Sequence, residues 1–570
     1  PNRHMMRIGI FFGGPARERE ISFLGGKTAM AHLNKALFQP IPVFVDSLGN
    51  FILIKEELIF EDSIRSFYPP KRLQTAPFNV YIESLPEADA TSLLAEVGTI
   101  IQPAEFSKHF DFAFIAMHGP GAEDGSIQGL LEWYNIPYSG PGVLGSAIGI
   151  DKAKQNEWLQ KSVGLEKKFF VLQRDDYTKY GRETLFEQVK KEIGIPFVAK
   201  APHQGSSIGL AFVKEDNLEI FDKAIKKCLF IDEIYREDWL QLTEDDQVDL
   251  LQKMVNLDEG IGFPVVFQKQ VYYHPSDLLT ALREYFTHTV TKASIQSIHS
   301  EDAILLESFV NGNEFSCGVI QTPSGKAVAL PPTEIVTDDS VEVFDFNAKY
   351  KSKLTRKRIP MHASLAHLQV IQAQVKQAFE DLGFGVCTRI DGFLDANGVV
   401  VLHDPNTIPG MSPSSLIFKQ MAEIGLNVTD SLTYFIRQSI RERLRTGKNY
   451  YFLNQQLKAL DEAIAASLKA KAEREVRVLE ISGANDEALE ASFQAVKSQA
   501  AELAALGTEN FVVCTPLEIE EGETLLNLHA AHIGKDSAKE MLEAIKTGVH
   551  PLIAHTRQTA IEITKFYTNV

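Results

Sequence analysis

Cysteine is scarce in this chain: four in 570 residues (Cys228, Cys317, Cys387 and Cys514), with no C-x-x-C pair. That excludes a thiolate metal framework and suits a reducing, cytoplasmic compartment. No run approaches the ~18 apolar residues of a membrane span. No signal peptide precedes the first strand, and residues 1–5, ending His-Met, read as a cloning remnant. Positive charge is also short, since 57 Lys and Arg against 75 Asp and Glu leave a net −18. Neither nucleic acid nor a membrane surface is therefore expected as a partner. The first apolar strand is not followed by G-x-G-x-x-G, so a dinucleotide fingerprint is missing.

What is present is the composition of a globular protein, 44% hydrophobic and 23% charged, in a chain too long for one core. An apolar strand at 6–12, strands near 41–45 and 111–117 and a helix from about Glu20 alternate as in a mostly parallel α/β sheet. This gives an α/β and α+β multidomain protein: an N-terminal Rossmann-like domain at 6–149, then segments 150–303 and 304–449. Within the second segment, residues 229–300 read as a helical insertion with acidic stretches. An Ala/Lys/Glu/Leu-rich helix leads into a small α/β appendage at 450–570.

Residues 389–416 are the most informative stretch. Two apolar runs flank Asp395-Ala396-Asn397-Gly398, and Asn-Gly is a strong hairpin signal. With Asn397 and Gly398 as the loop, Asp391 faces Asp404 and Arg389 faces Asn406. Two facing carboxylates repel unless a cation lies between them, and an all-oxygen set of Asp, Asp and Asn suits Mg²⁺ rather than zinc. A solvated hairpin edge would account for scattered charge, but not for the apolar flanks and the Pro-Gly turn that follows.

Lys200 ends the strand 196–200, ahead of Gln204-Gly205-Ser206-Ser207-Ile208-Gly209. Such a loop can cradle anionic oxygens with backbone N–H groups and hydroxyls, or be an ordinary turn. Glu307 lies on a strand and Glu314 just past the turn 311–313. Their odd separation lets them face each other across a hairpin, either as acceptors for a nucleobase amine and ribose hydroxyls or as a solvated edge.

Taken in order, these pieces resemble the D-alanine–D-alanine ligases of the ATP-grasp superfamily. The resemblance runs through Gly13-Gly14-Pro15-Ala16-Arg17-Glu18-Arg19-Glu20-Ile21-Ser22, Met117-His118-Gly119, Glu123-Asp124-Gly125-Ser126-Ile127-Gln128-Gly129 and Tyr138-Ser139-Gly140-Pro141-Gly142. It continues through Asp151-Lys152, Gly205-Ser206-Ser207-Ile208-Gly209, Asn347-Ala348-Lys349-Tyr350, Arg389-Ile390-Asp391 and Asn406-Thr407-Ile408-Pro409-Gly410-Met411. It implies an ATP-grasp fold of two subdomains, with ATP between two antiparallel sheets, and synthesis of D-alanyl-D-alanine for peptidoglycan.

It also implies a division of labour. Lys152, Lys200, Gly205, Ser207 and Lys349 would bind the phosphates. Glu307, Phe309, Val310 and Glu314 would hold adenine and ribose. Asp391, Asp404 and Asn406 would hold two Mg²⁺ ions, with Mn²⁺ as a substitute. Glu18 and His118 would meet the first D-alanine's ammonium, with Ser206 and Tyr350 tying a lid loop at 344–350 to Glu18. Arg389 and the Gly410 backbone would form the oxyanion site, and Ser415 and Leu416 would meet the second substrate's carboxylate. A homodimer is expected.

The chain departs from the family pattern at Asp404-Pro405, where glutamate is usual, at Gln204, also usually glutamate, and at Pro15. A ligase with D-lactate, D-serine or another acceptor, and a nucleotide-binding protein without catalysis, are the alternatives. His529 and His532, three apart with no matching second element, are a weak metal signal, and the acidic run 518–523 reads as a solvated loop.

Overall fold

The computed structural model describes residues 5–88, 90–337, 355–445 and 448–568. The N-terminal sheet has five strands in the order Gly98–Ile101, Phe51–Ile54, Phe38–Val45, Met6–Gly13, Phe112–Ile115. The three strands at one end, Phe38–Val45, Met6–Gly13 and Phe112–Ile115, are parallel, and Phe51–Ile54 and Gly98–Ile101 extend the sheet antiparallel beyond Phe38–Val45. The sheet is therefore mixed, and the short outer strands carried too little pattern to be read as strands. Met6–Gly13 is buried on both faces at its C-terminal half, the usual state of a parallel strand covered by helices.

A four-stranded antiparallel sheet follows, in the order Phe169–Gln173, Ala303–Ser308, Phe197–Lys200, Leu210–Val213. One face packs on helices Arg182–Glu192 and Leu218–Cys228 through Leu172, Val189, Phe197, Phe221 and Leu306. Glu307 pairs with Val198 and Leu305 with Lys200, so alternation puts Glu307, Val198 and Lys200 together on the other face. A third sheet is built on Gly312–Gln321, Cys387–Asp395 and Val400–Asn406. Its pairing sets Glu314 opposite Phe393 and Ser316 opposite Asp391. The alternate residues Phe315, Cys317, Ile390 and Leu402 point into the core beneath helix Leu365–Asp381.

Four expectations need correction. Glu307 and Glu314 do not face each other across a hairpin, because their strands belong to different sheets and residues 309–311 cross between them. Residues 229–300 are not simply helical. Beside helices Arg236–Gln241, Glu244–Val255 and Pro275–Tyr285 they hold a sheet in the order Gln270–Tyr272, Val265–Phe267, Lys292–Ser297, Ile231–Tyr235. Its hairpin turns on Gln268 and Lys269, both with positive φ (51° and 65°), where Asn-Gly would have signalled the turn.

The third correction concerns the hairpin at 387–406. Asp395 accepts from the N–H groups of Asn397 and Val399, and Gly398 has φ 82°. The turn therefore spans three residues and shifts the pairing by one, placing Asp391 opposite His403 rather than Asp404. A bulge at Asp404 (φ 44°) returns the register so that Arg389 faces Asn406 as expected. Last, the acidic run 518–523 has its glutamates exposed as expected, but it turns a hairpin between Phe511–Ile519 and Gly522–Asn527, in a three-stranded C-terminal sheet that includes Arg477–Glu480.

Candidate active site

The turn after Met6–Gly13 sets the first group in place. Gly13 has φ 91°, and a Cβ there would lie 2.6 Å from the Val45 carbonyl oxygen, so only glycine permits this exit from the sheet. The chain then delivers Glu18 to the N-terminus of helix Arg19–His32. Glu18 is 4% exposed. The Ser206 hydroxyl donates to its Oε2 at 2.5 Å, and its Oε1 has no hydrogen-bond partner among the described residues. Burial, then the charge of Glu123, raises the Glu18 pKa.

His118 Nδ1 lies 3.6 Å from Glu123 Oε1, and the three residues bring ligand atoms within 4.8 Å of one another. Burial would lower the His118 pKa, but the hydrogen bond and charge of Glu123 outweigh it and raise it. Two carboxylates against one imidazole, with an oxygen left over, form a receptor for a cation such as an ammonium. Glu123 was visible in its motif but received no role, because only its contact with His118 reveals one.

The loop Gly205–Gly209 lies directly above. A Cβ at Gly205 would sit 2.7 Å from Glu18 Oε1. Ser206 and Ser207 hold φ of 55° and 63°, uncommon for residues with side chains and typical of functional loops. Lys152 Nζ donates to the Gln204 carbonyl. One cavity is walled by Lys152, Lys200 and this loop on one side and by Arg389, Asp391, Asp404 and Asn406 on the other. The two lysines and the oxygen-donor set thus converge on one cavity.

Asp391 is 1% exposed and receives Arg389 Nε at 3.2 Å. Lys200 Nζ lies 3.3 Å from both oxygens of Asp404, and burial of Asp404 is outweighed by Lys200 and His403, which hold it well below the usual carboxylate range. Asp404 is therefore anionic at neutral pH. Two carboxylates and one amide oxygen on a single cavity wall fit a hard divalent cation.

A second cavity lies between the two sheets, lined by Val198, Val310, Phe393 and Val401, with Lys167, Glu307 and His403 at its polar end. His403 stacks on Phe393 at 4.9 Å, and burial lowers its pKa. Glu307 receives Lys200 Nζ at 2.5 Å, Asn156 Nδ2 at 2.8 Å, and Lys167. Burial would raise its pKa, but Lys167 and then Lys200 reverse that, so it is ionised. Lys167 escaped notice because Glu166-Lys167-Lys168 reads as a surface charge run. Phe309 is partly exposed on the linker and lines this cavity, whereas Glu314 is buried on the third sheet and outside its lining.

At the far end, Ser415 stands at the N-cap position of helix Leu416–Glu423, and its hydroxyl shares a hydrogen bond with Ser412 Oγ at 2.8 Å. A Cβ at Gly410 would lie 3.6 Å from Ser415 Oγ, so Gly410, Ser415 and Leu416 are neighbours. Lys349, Tyr350 and the rest of the expected lid loop 344–350 lie outside the described residues. His529 and His532 cap the short helix Ala530–Ile533 with their own side chains.

Residues 7–141 match the family model described as D-ala D-ala ligase N-terminus, and residues 233–437 match D-ala D-ala ligase C-terminus. A D-alanine–D-alanine ligase of Geobacillus thermodenitrificans (strain NG80-2) is 25% identical over 410 residues, covering 72% of this chain and 88% of that protein. One from Acinetobacter baumannii (strain ATCC 17978) is 28% identical over 332 residues, covering 58% and 80%. The solved D-alanine–D-alanine ligase of Coxiella burnetii aligns with a TM-score of 0.50 at 19% identity, covering 78% of this chain and 99% of that one. That likeness bears on the fold, and it leaves the C-terminal sheet as an addition.

Proposed function

The chain belongs to the D-alanine–D-alanine ligase family, and we propose that it joins two D-alanines at the cost of ATP, for peptidoglycan synthesis. The observation that carries this reading is the seat of Glu18. Its buried oxygen, without a partner among the described residues, suits an ammonium, and its other oxygen is bonded to the Gly205–Gly209 loop. An amino acid held there by its ammonium directs its carboxylate toward the terminal phosphate.

The chemistry follows from the donor set. A carboxylate is a poor acyl donor, so its oxygen takes the γ-phosphoryl group of ATP, giving an acyl phosphate and ADP. The second substrate's amine attacks the acyl carbon, and inorganic phosphate leaves as the peptide bond forms. Glu18, with His118 and Glu123, would hold the first substrate. Lys152, Lys200 and Lys349 would hold phosphates, and Arg389 and the Gly410 N–H would meet the oxyanion. Ser415 and Leu416 would receive the second carboxylate. Asp391, Asp404 and Asn406 would hold Mg²⁺, which when bound neutralises phosphate charge as a Lewis acid. Acyl phosphates hydrolyse readily, so a closing lid that includes Tyr350 belongs to this reading.

The test is incubation with ATP, Mg²⁺ and D-alanine, reading ADP release and dipeptide, with D-serine and D-lactate as rival acceptors. D-Alanyl-D-alanine formation is expected. ADP with a different product would reassign the acceptor, and tight ATP binding with no turnover across the panel would remove the catalytic reading.

A further inference from the structure

The polar end of the cavity between the two sheets holds more hydrogen-bonding capacity than its neighbours consume. An ionised carboxylate offers about four acceptor sites and an ammonium three protons. Glu307 Oε2 meets two donors, Lys167 and Asn156 Nδ2, while Oε1 meets Lys200. One acceptor site at Oε1 is thus left without a donor among the described residues. Lys167 gives one proton to Glu307 and directs a second toward the Leu402 carbonyl oxygen at 3.5 Å. Its third proton has no acceptor among the described residues, although the side chain is 3% exposed and lines the cavity.

Beside Ser308, whose hydroxyl oxygen accepts from the Lys168 N–H, the walls formed by Val198, Phe309, Val310, Phe393 and Val401 are apolar and suit a flat ring. A lysine is also an expensive filler for this position. Burying an ammonium beside a carboxylate that already has Lys200 carries a desolvation cost that an apolar side chain of similar length avoids.

We propose that this cavity accepts 6-oxopurine nucleoside triphosphates as well as adenine ones, with Lys167 as the specificity-determining residue. A 6-amino group donates to Glu307 Oε1, and a 6-oxo group accepts from the third Lys167 proton. The inference rests on the reading of this cavity as the nucleobase site and adds to it the class of base admitted.

ITP is the cleanest probe because it places the oxo group at position 6 without a 2-amino group. With the full chain, Mg²⁺ and D-alanine, kcat/KM for ITP is expected within about tenfold of that for ATP, and Lys167→Met should lower the ITP-to-ATP ratio by about tenfold or more. An ITP value more than tenfold below ATP in the parent protein overturns the proposal. So does an unchanged ratio in Lys167→Met. Should that variant fail to fold, the parent ratio decides alone. Absence of turnover with ATP itself would strike the ligase reading instead, and calorimetric binding of Mg-ITP against Mg-ATP would then read the base preference separately.

Discussion

Substituting Gly205 by alanine tests whether the phosphate loop and the Glu18 pocket act as one unit. The added Cβ would sit 2.7 Å from Glu18 Oε1, 3.1 Å from Oε2 and 3.2 Å from the carboxyl carbon. Non-bonded heavy atoms are comfortable at ~3.5 Å, so the carboxylate or the loop must retreat by roughly 0.5–0.8 Å. Either movement strains the Ser206–Glu18 hydrogen bond. A misplacement of ~1 Å at a reacting centre can cost about 10²-fold, so a shift of this size should lower kcat/KM for D-alanine by about tenfold.

The loop is only half-buried, so the thermal midpoint should stay close to that of the parent. Gly129→Ala is the control. It lies in helix Ser126–Trp133, and beyond its own helix backbone no atom of the described residues comes within 4 Å of the added Cβ, so it should leave activity unchanged and stabilise by about 0.5–1 kcal/mol. The assay is coupled ADP release at saturating ATP across a D-alanine range. If Gly205→Ala kept kcat/KM within about twofold of the parent, the coupling of phosphate loop to ammonium pocket would be refuted.

Asp391→Asn should cut turnover by about 10²-fold or more by weakening the cation site, with an unchanged thermal midpoint; full activity with an ordinary Mg²⁺ titration would contradict the assignment. His203 is held between Asp151, at 3.5 Å, and Glu301, at 2.8 Å, which raise its pKa from 6.5 to about 10. A folded-state pKa raised in this way gives stability that is complete below pH 6.5 and is lost as pH climbs through about 10. The thermal midpoint of the parent should therefore fall more steeply across that window than that of His203→Gln, and parallel slopes would count against the pairing. Arg443 donates to the Tyr138 and Gly140 carbonyls, both at 2.9 Å, and stacks over the Tyr138 ring. Its replacement by leucine strands two acceptors at the joint between the N-terminal domain and helix Val428–Leu444 and should cost about 3 kcal/mol in urea unfolding; a loss below about 1 kcal/mol would show that the joint is held elsewhere.

The readable parts of this chain were those where local chemistry and tertiary environment agree. Strand Met6–Gly13, strand Phe197–Lys200 and the glycine-serine loop each carry their own boundary signals, and they stand within a residue or two of their expected places. What was hidden depends on groups far apart in sequence. Lys167 looks like a surface charge until the fold sets it 140 residues away on Glu307. Glu123 has meaning only once His118 and Glu18 close around it. The sheet within residues 229–300 was invisible because Gln268 and Lys269 adopt a left-handed turn that their side chains do not advertise.

The hairpin shows both outcomes within a few residues. Sequence pairing by an Asn-Gly loop is right for Arg389 and Asn406 and wrong for Asp391 and Asp404, because two irregularities cancel. The three-residue turn slips the register once, and the bulge at Asp404, followed by a proline that cannot donate to the ladder, slips it back. Bulges re-aim side chains, and here the bulged residue is the carboxylate that stands where the resemblance implies a glutamate, one methylene longer. Despite that shortening, Asp404 still reaches within 3.3 Å of Lys200 on the facing sheet. The backbone irregularity and the shorter side chain are therefore best understood together, as one way of placing a carboxylate oxygen.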